Sequence, residues 1–230
     1  PLIENNGTIV RRKEMQSYLR DYYMINQSGE KSSDYFLYFE KYPSIEHGQE
    51  KVKEESIPGK GNVHIRTGTY EDTVIKLKLD LNTVESADSW DNAYVKAYQF
   101  LKNVKEMRFC NSEDVFYKVR AVDIGASARY SDSGGDFEVI MKCTPGVYSV
   151  LGKTEIALAG FDGMNPYVLC RPVYRIMGEG VCTLTVNGNS VTVNVAQNVT
   201  LDTERMIAYR TDGTVVNTTI TGKYEDLYLM

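Results

Sequence analysis

The most regular alternation in the chain runs from Thr73 to Leu81. Ile75, Leu77, Leu79 and Leu81 alternate with Val74, Lys76, Lys78 and Asp80. A period of two, with one apolar and one largely charged face, predicts a half-buried β-strand. Just upstream, Ser56-Ile57-Pro58-Gly59-Lys60-Gly61-Asn62 carries a turn signal. Proline presets φ at the second position of such a turn and glycine accepts positive φ at the third. A short strand is expected at Val63–Arg66, ended by Gly68, and Glu71-Asp72 leads into the long strand.

The rest of the first half reads as further strands. Tyr22-Tyr23-Met24-Ile25-Asn26 is strand-like, and Gln27-Ser28-Gly29-Glu30 turns the chain. A second, very aromatic strand is expected at Tyr35–Phe39, broken at Tyr42-Pro43-Ser44. Such a cluster suits core or subunit interface better than a sugar platform. Gln49 to Ser56 mixes both charges and is expected as an exposed arm or edge strand.

One helix is predicted, over residues 88–105. Trp90, Ala93, Tyr94, Ala97, Leu101 and Val104 fall on one face at a 3.6-residue period. Ser86 or Asp88 is the expected N-cap. Asp91 and Lys102 complement the helix dipole at its two ends. Met107–Cys110 and Val115–Val122 follow as strands, then a flexible turn at Ser131–Gly135. Phe137, Val139 and Met141 alternate against Glu138, Ile140 and Lys142 up to Cys143-Thr144-Pro145.

Beyond Pro145-Gly146 no helix signal remains. Strands are expected at Val173–Met177, Val181–Val186, Ser190–Val195, Val199–Asp202, Met206–Tyr209 and Val215–Ile220. Asn187-Gly188-Asn189 and Asp212-Gly213 are hairpin turns. Short strands at this spacing predict an all-β sandwich. The fold class is therefore mainly β with one helix, in three parts: an N-terminal extension at 1–21, a β-rich domain at 22–144 and a β-sandwich domain at 145–230.

Composition adds exclusions. The 230 residues are 42% hydrophobic and 25% charged, which is ordinary for a folded protein. A net charge of −5 argues against nucleic-acid recognition as the main role, and Arg11-Arg12-Lys13 reads as a solvated run. No apolar stretch reaches the roughly 20 residues of a membrane span, and the start at Pro1 carries no signal-peptide core. Cys110, Cys143, Cys170 and Cys182 form no C-x-x-C pair, so buried, reduced cysteines are expected and no metal site.

Several of these stretches together are similar to one known family. The apolar–Pro-Gly-Lys turn, the short strand, the Gly-x-Tyr turn at Gly68-Thr69-Tyr70 and the long alternating strand resemble the distal tail protein of siphophages and prophages of Gram-positive bacteria. The helix, the strand ending in Cys143-Thr144-Pro145, and the phrases at Asn165-Pro166, Pro172–Gly178, Cys182–Gly188 and Leu201–Glu204 resemble it in order. The resemblance spans most of residues 22–230. It implies a virion protein of the tail tip, assembled in the host cytoplasm. It implies a homohexameric hub ring that joins the tail tube protein to tail-tip or baseplate proteins, receptor-binding proteins among them. The first domain would form the ring and a galectin-like second domain would project outward. Members usually continue past the equivalent of Tyr224–Leu229 with a Gly-Asn turn and a last strand, whereas this chain stops at Met230.

The expected chemistry is contact, not catalysis. A ring interface needs sheet edges and exposed arms, and the candidates are Lys51, Lys53, Glu54, Glu55, Ile57, Pro58, Gly59 and Lys60. No cofactor or enzyme activity is expected. The chain lacks a G-x-S-x-G elbow, a P-loop and a G-x-G-x-x-G motif, and has only His47 and His64. Glu155, Asp162, Asp202 and Glu204 would be the raw material for a carboxylate pair. Four Asn-x-Ser/Thr sites, at Asn6, Asn26, Asn198 and Asn217, are of the kind that arises by chance. The runner-up is a carbohydrate-binding module or adhesin built on the second sandwich. That domain has no Trp on which to stack a sugar.

Overall fold

The computed structural model describes residues 19–57, 61–158 and 169–229. The Arg11-Arg12-Lys13 run, Asn6, Pro58, Gly59, Lys60, Asp162 and Asn165-Pro166 lie outside the described residues. The protein is mainly β with one α-helix among the described residues. It divides into two units between Ile156 and Ala157.

The first unit is organised by β6 (Thr73–Asn82), whose apolar positions are buried as the alternation predicts. Ile75, Leu77, Leu79 and Leu81 are buried to 1% exposure or less. It pairs antiparallel with β10 (Gly134–Cys143) over ten residues, so that Phe137, Val139 and Met141 extend the apolar face. On its other edge lie β2 (Leu37–Phe39) and β3 (Ser44–Glu46). Beyond β10 come β8 (Val115–Ile124), β7 (Glu106–Phe109) and β1 (Met24–Asn26). Short β9 (Ala128–Arg129) pairs with β10, and β11 (Tyr148–Ser149) pairs with β8. The strand after Pro145-Gly146 thus still belongs to the first sheet.

That sheet curls until its two ends meet. The Phe39 ring of β2 lies 6.3 Å from Phe109 of β7. Tyr22 packs between them, 5.1 Å from Phe39 and 5.6 Å from Phe109. The helix α1 (Trp90–Lys102) lays Trp90, Ala93, Ala97 and Leu101 on the apolar face, with Val104 just beyond its end. Phe100 joins them and stacks on Tyr35 at 4.5 Å, a core position the helical period had not singled out. Trp90 stacks on Tyr94 at 5.1 Å.

Three local expectations are corrected here. The helix is capped by Ser89, whose hydroxyl accepts from the Asn92 amide, and not by Ser86 or Asp88. The Ser86 hydroxyl is taken by the Asp88 amide one turn earlier. The aromatic run Tyr35–Phe39 is strand only from Leu37. Residues Ser32–Tyr35 form a 3₁₀ turn, ended by Phe36 in the left-handed region at φ 58°. Ser131–Gly135 is not turn throughout, because β10 begins at Gly134.

Among its described residues the second unit has two three-stranded sheets. One orders β12 (Val173–Gly178), β15 (Gln197–Asp202) and β16 (Ile207–Tyr209). The other orders β13 (Val181–Val186), β14 (Asn189–Asn194) and β17 (Ile220–Thr221). Inward residues of both sheets, among them Tyr174, Leu184, Val191, Val193, Val199 and Leu201, share one core. Asn187-Gly188 closes the β13–β14 hairpin. The expected strand Val215–Ile220 is broken: Asn217–Thr219 form a 3₁₀ turn and pairing resumes only at Ile220. Asn217 is the cause, since its side-chain oxygen accepts from the Ala208 amide and from the Tyr224 hydroxyl.

The cysteines are all free, as expected of reduced thiols, but only Cys143 is buried. Burial pushes its thiol up to about 11, with the Asp72 charge adding to the effect. Cys110, Cys170 and Cys182 are half-buried, because each sits where a strand end or sheet edge meets solvent.

Candidate subunit interface

Between β3 and β6 the chain leaves the body sheet as a hairpin, β4 (Glu50–Ile57) and β5 (Gly61–Tyr70). These two strands pair with each other and with no other strand among the described residues. The single strand expected at Val63–Arg66 is thus ten residues long. Gly68 does not end it: the residue takes φ +69° inside a bulge, and pairing continues to Tyr70.

The register assigns the faces of the hairpin. Val52 lies opposite Arg66, Glu54 opposite His64 and Ser56 opposite Asn62. That face carries a Glu54–His64 pair at 3.4 Å and a Ser56–Asn62 hydrogen bond of 2.7 Å. The other face carries Lys53, ion-paired with Glu55 at 2.5 Å, and Ile65 across from Lys53. Both faces meet water. Val52 is 48% exposed, Ile65 43% and Tyr70 52%.

The structure thus brings Lys51, Lys53, Glu54 and Glu55 together on an exposed strand. Ile57 is the last residue of β4, while Pro58, Gly59 and Lys60 fall outside the described residues. Sequence reasoning passed over the β5 half: His64, Ile65, Arg66 and Tyr70 are as exposed as the β4 residues. The alternation of Val63 and Ile65 with His64 and Arg66 was a signal for the strand, but it lapses at Thr67-Gly68-Thr69 and gave no sign of the continuation to Tyr70.

The root of the hairpin is tightly built. The Gly48 amide donates to the Thr73 hydroxyl at 3.5 Å, and the Glu71 amide to the Gln49 carbonyl at 2.9 Å. Arg120 of β8 donates to Asp72 at 2.7 Å. Thr73, where β6 starts, is fully buried.

The polar face of β6 forms a ladder of ion pairs. Lys76 meets Glu46 at 2.5 Å, Lys78 meets Glu40 at 2.7 Å, and Lys142 of β10 meets Asp123 at 3.5 Å. The hydrogen bond and charge of Glu40 push the Lys78 ammonium up from its ordinary value. Asp80, expected on this charged face, is fully buried, and its carboxylate accepts from the Tyr130 hydroxyl at 2.7 Å.

Of the candidate carboxylates, Asp162 lies outside the described residues. Asp202 accepts from the amides of Glu204 and Arg205 and so holds its own turn. Among the described residues no group of three or more His, Cys, Asp and Glu could hold a metal ion. No helix among them is long and apolar enough to cross a membrane. Three of the four Asn-x-Ser/Thr asparagines serve the backbone. Asn26 accepts from the amides of Ser28 and Glu30, Asn198 from Thr211, and Asn217 from Ala208.

No protein-family model and no curated protein matches this chain. Among solved structures it is similar to the SPP1 Dit (gp 19.1) protein, described as a paradigm of hub adsorption apparatus in Gram-positive infecting phages. The identity is 12%, the TM-score 0.48, and 86% of each chain is covered.

Proposed function

We propose that this chain is a structural protein of a phage tail, and more specifically the hub ring at the distal end of a siphophage or prophage tail. Copies of the chain form a homohexamer. The ring joins the tail tube protein on one side to tail-tip or baseplate proteins on the other, with its place in the virion. The ordered set of motifs between residues 22 and 230 supports the family, and the interface logic comes from the residues themselves.

The observation that carries the proposal is the β4–β5 hairpin. Eighteen residues in strands of 8 and 10 stand outside the body sheet. They expose apolar side chains on both faces, and neither outer edge has a strand partner among the described residues. A lone two-stranded hairpin is marginal in water, and a long unpaired edge invites pairing with another chain. A cyclic assembly satisfies both, since each copy's arm is covered by the next. The chemistry is interface rather than catalysis. The first unit builds the ring, and the second unit supplies a galectin-like sandwich without a sugar site.

The test is mass in solution across a concentration series, by light scattering, with negative-stain images of the largest species. Rings with a central hole and the mass of six chains are expected. A strict monomer at every concentration, both alone and with the tail tube protein, overturns the proposal.

A further inference from the structure

We propose that the root of the β4–β5 hairpin is a pair of fixed joints, the chain crossing at Gly48 and the bulge at Gly68. These joints aim the hairpin at the next copy of the chain and thereby set how many copies close the ring. The inference rests on the ring assembly proposed above and names what determines its geometry.

The first joint is a crossing with no room for a side chain. A Cβ on Gly48 would stand 1.7 Å from the Glu71 carbonyl oxygen and 2.6 Å from its carbon. The strand entering the arm therefore lies directly against the strand leaving it. The crossing is closed by the Glu71–Gln49 hydrogen bond and tied to β6 by the Gly48–Thr73 bond. The Arg120–Asp72 pair anchors the same corner to β8.

The second joint is the bulge. Glu50 pairs with Tyr70 and Val52 with Arg66, so Lys51 alone faces residues 67–69. The excess backbone is pinned. The Thr67 hydroxyl donates to the Lys51 carbonyl at 2.7 Å, and the Gly68 amide to the Glu50 carboxylate at 3.2 Å. Gly68 sits at φ +69°, a conformation that costs other residues, Asn and Asp least. A bulge bends its strand and increases its twist.

Direction matters because a heterologous contact closes only when its rotation divides a full turn; otherwise it runs on as a filament. A loose root would leave that rotation undefined. Joints fixed before the partner arrives spare the ordering cost of binding.

Gly68 offers a clean test, because a Cβ there meets nothing within 4 Å. Gly68→Ala therefore changes backbone preference alone, and Gly68→Asn tolerates the same φ. In the full chain, Gly68→Ala is expected to weaken assembly about tenfold or to spread it over several masses. Gly68→Asn should restore the single mass, and Gly48→Ala should disturb assembly more than Gly68→Ala. Unfolding of the body, followed by Trp90 fluorescence, should not move in the two Gly68 variants. If Gly68→Ala and Gly48→Ala both close to the same single mass at the same concentration as the unaltered chain, the joints are not determinants. If the unaltered chain never assembles, the ring proposal fails and amide exchange in the monomer decides the joints. Faster exchange at Gly68 and Glu71 in Gly68→Ala than in Gly68→Asn upholds them, and equal rates overturn them.

Discussion

Two long antiparallel pairs meet at Glu71-Asp72. On one side β6 pairs with β10 over ten residues and buries every second side chain. On the other, β5 pairs with β4 and exposes both faces. Both pairs are antiparallel, and apart from the bulge at Gly68 in the second, what differs is the side chains. Ile75 and three leucines on β6 lie in the core shared with α1 and the curled sheet. Val52 and Ile65 are scattered between charges and find no second layer. The comparison separates two uses of a β-pair. One is a floor for a core, stabilised by removing apolar area from water. The other is an exposed hairpin outside the body sheet, which on the ring proposal is covered by another chain.

Truncation tests this contrast most sharply. Leu79 is fully buried at the centre of β6. Leu79→Ala should cost about 2–5 kcal/mol of stability, through lost transfer energy and the cavity left behind. Ile65→Ala on the arm should change the stability of the isolated chain by no more than about 0.5 kcal/mol, yet reduce assembly. Denaturant unfolding followed at Trp90, the only tryptophan, reads the first unit directly. Equal losses in the two variants would mean that the arm packs on the body in the isolated chain, and the comparison would collapse.

The same contrast explains what the sequence could disclose. β6, β10 and the helix stripe were legible because burial imposes a period, and a period can be read from residues alone. The bulge at Gly68 was not. Glycine before Tyr70 reads equally well as a strand end, and only the Thr67–Lys51 and Gly68–Glu50 bonds turn it into a bend. Gly48 was silent for a related reason: its role is the absence of a side chain 23 residues before the carbonyl it passes. Val215–Ile220 looked like a strand by composition, and one carboxamide, Asn217, diverted it. Asp80 belonged by alternation to a solvated face, and the Tyr130 hydroxyl from a distant turn covers it. In each case a partner outside the element decides the outcome, from seven residues away at Asn217 to 50 at Asp80. The exposed β4 arm was legible from its mixed charges, but its faces required the register with β5.

Alkaline pH should probe the two units through groups that burial keeps protonated. Burial pushes Tyr22 in the first unit up to about 12, with Cys110 adding to the effect, and pushes Tyr174 in the second up to about 12. Cys143 is pushed up to about 11. In each, the unfolded chain releases its proton first, so the folded state binds more protons over the interval between the two values. Stability is therefore fully present below pH 9 and falls as pH rises. The thiol acts between about 9 and 11 and the tyrosines between about 10 and 12. Melting temperature should be flat from neutrality to pH 9 and then decline. Cys143→Ala should reduce the part of the decline that begins at 9, leaving the share of Cys170, whose thiol burial also pushes up. A decline unchanged by that substitution would show that the thiol titrates alike in folded and unfolded chains.

The smallest effect separates ion pairs of the body from those of the arm. The Glu40 side chain is 7% exposed and holds Lys78 at 2.7 Å, against a sheet whose backbone fixes both residues. Lys53 and Glu55 on the arm are 66% and 48% exposed. An exposed pair gains little over its hydration and pays to hold two long side chains still. Glu40→Gln should therefore lower stability by about 1 kcal/mol or less, a loss that shrinks with added salt. Glu55→Gln should leave the unfolding curve where it was at any salt concentration. On the ring proposal its effect belongs to assembly, where the charge would be desolvated against the next copy and a mispaired partner is costly. If Glu55→Gln shifts unfolding and leaves the assembly mass and its salt dependence untouched, the arm's charges serve the isolated fold, and the division of labour between the two β-pairs is lost.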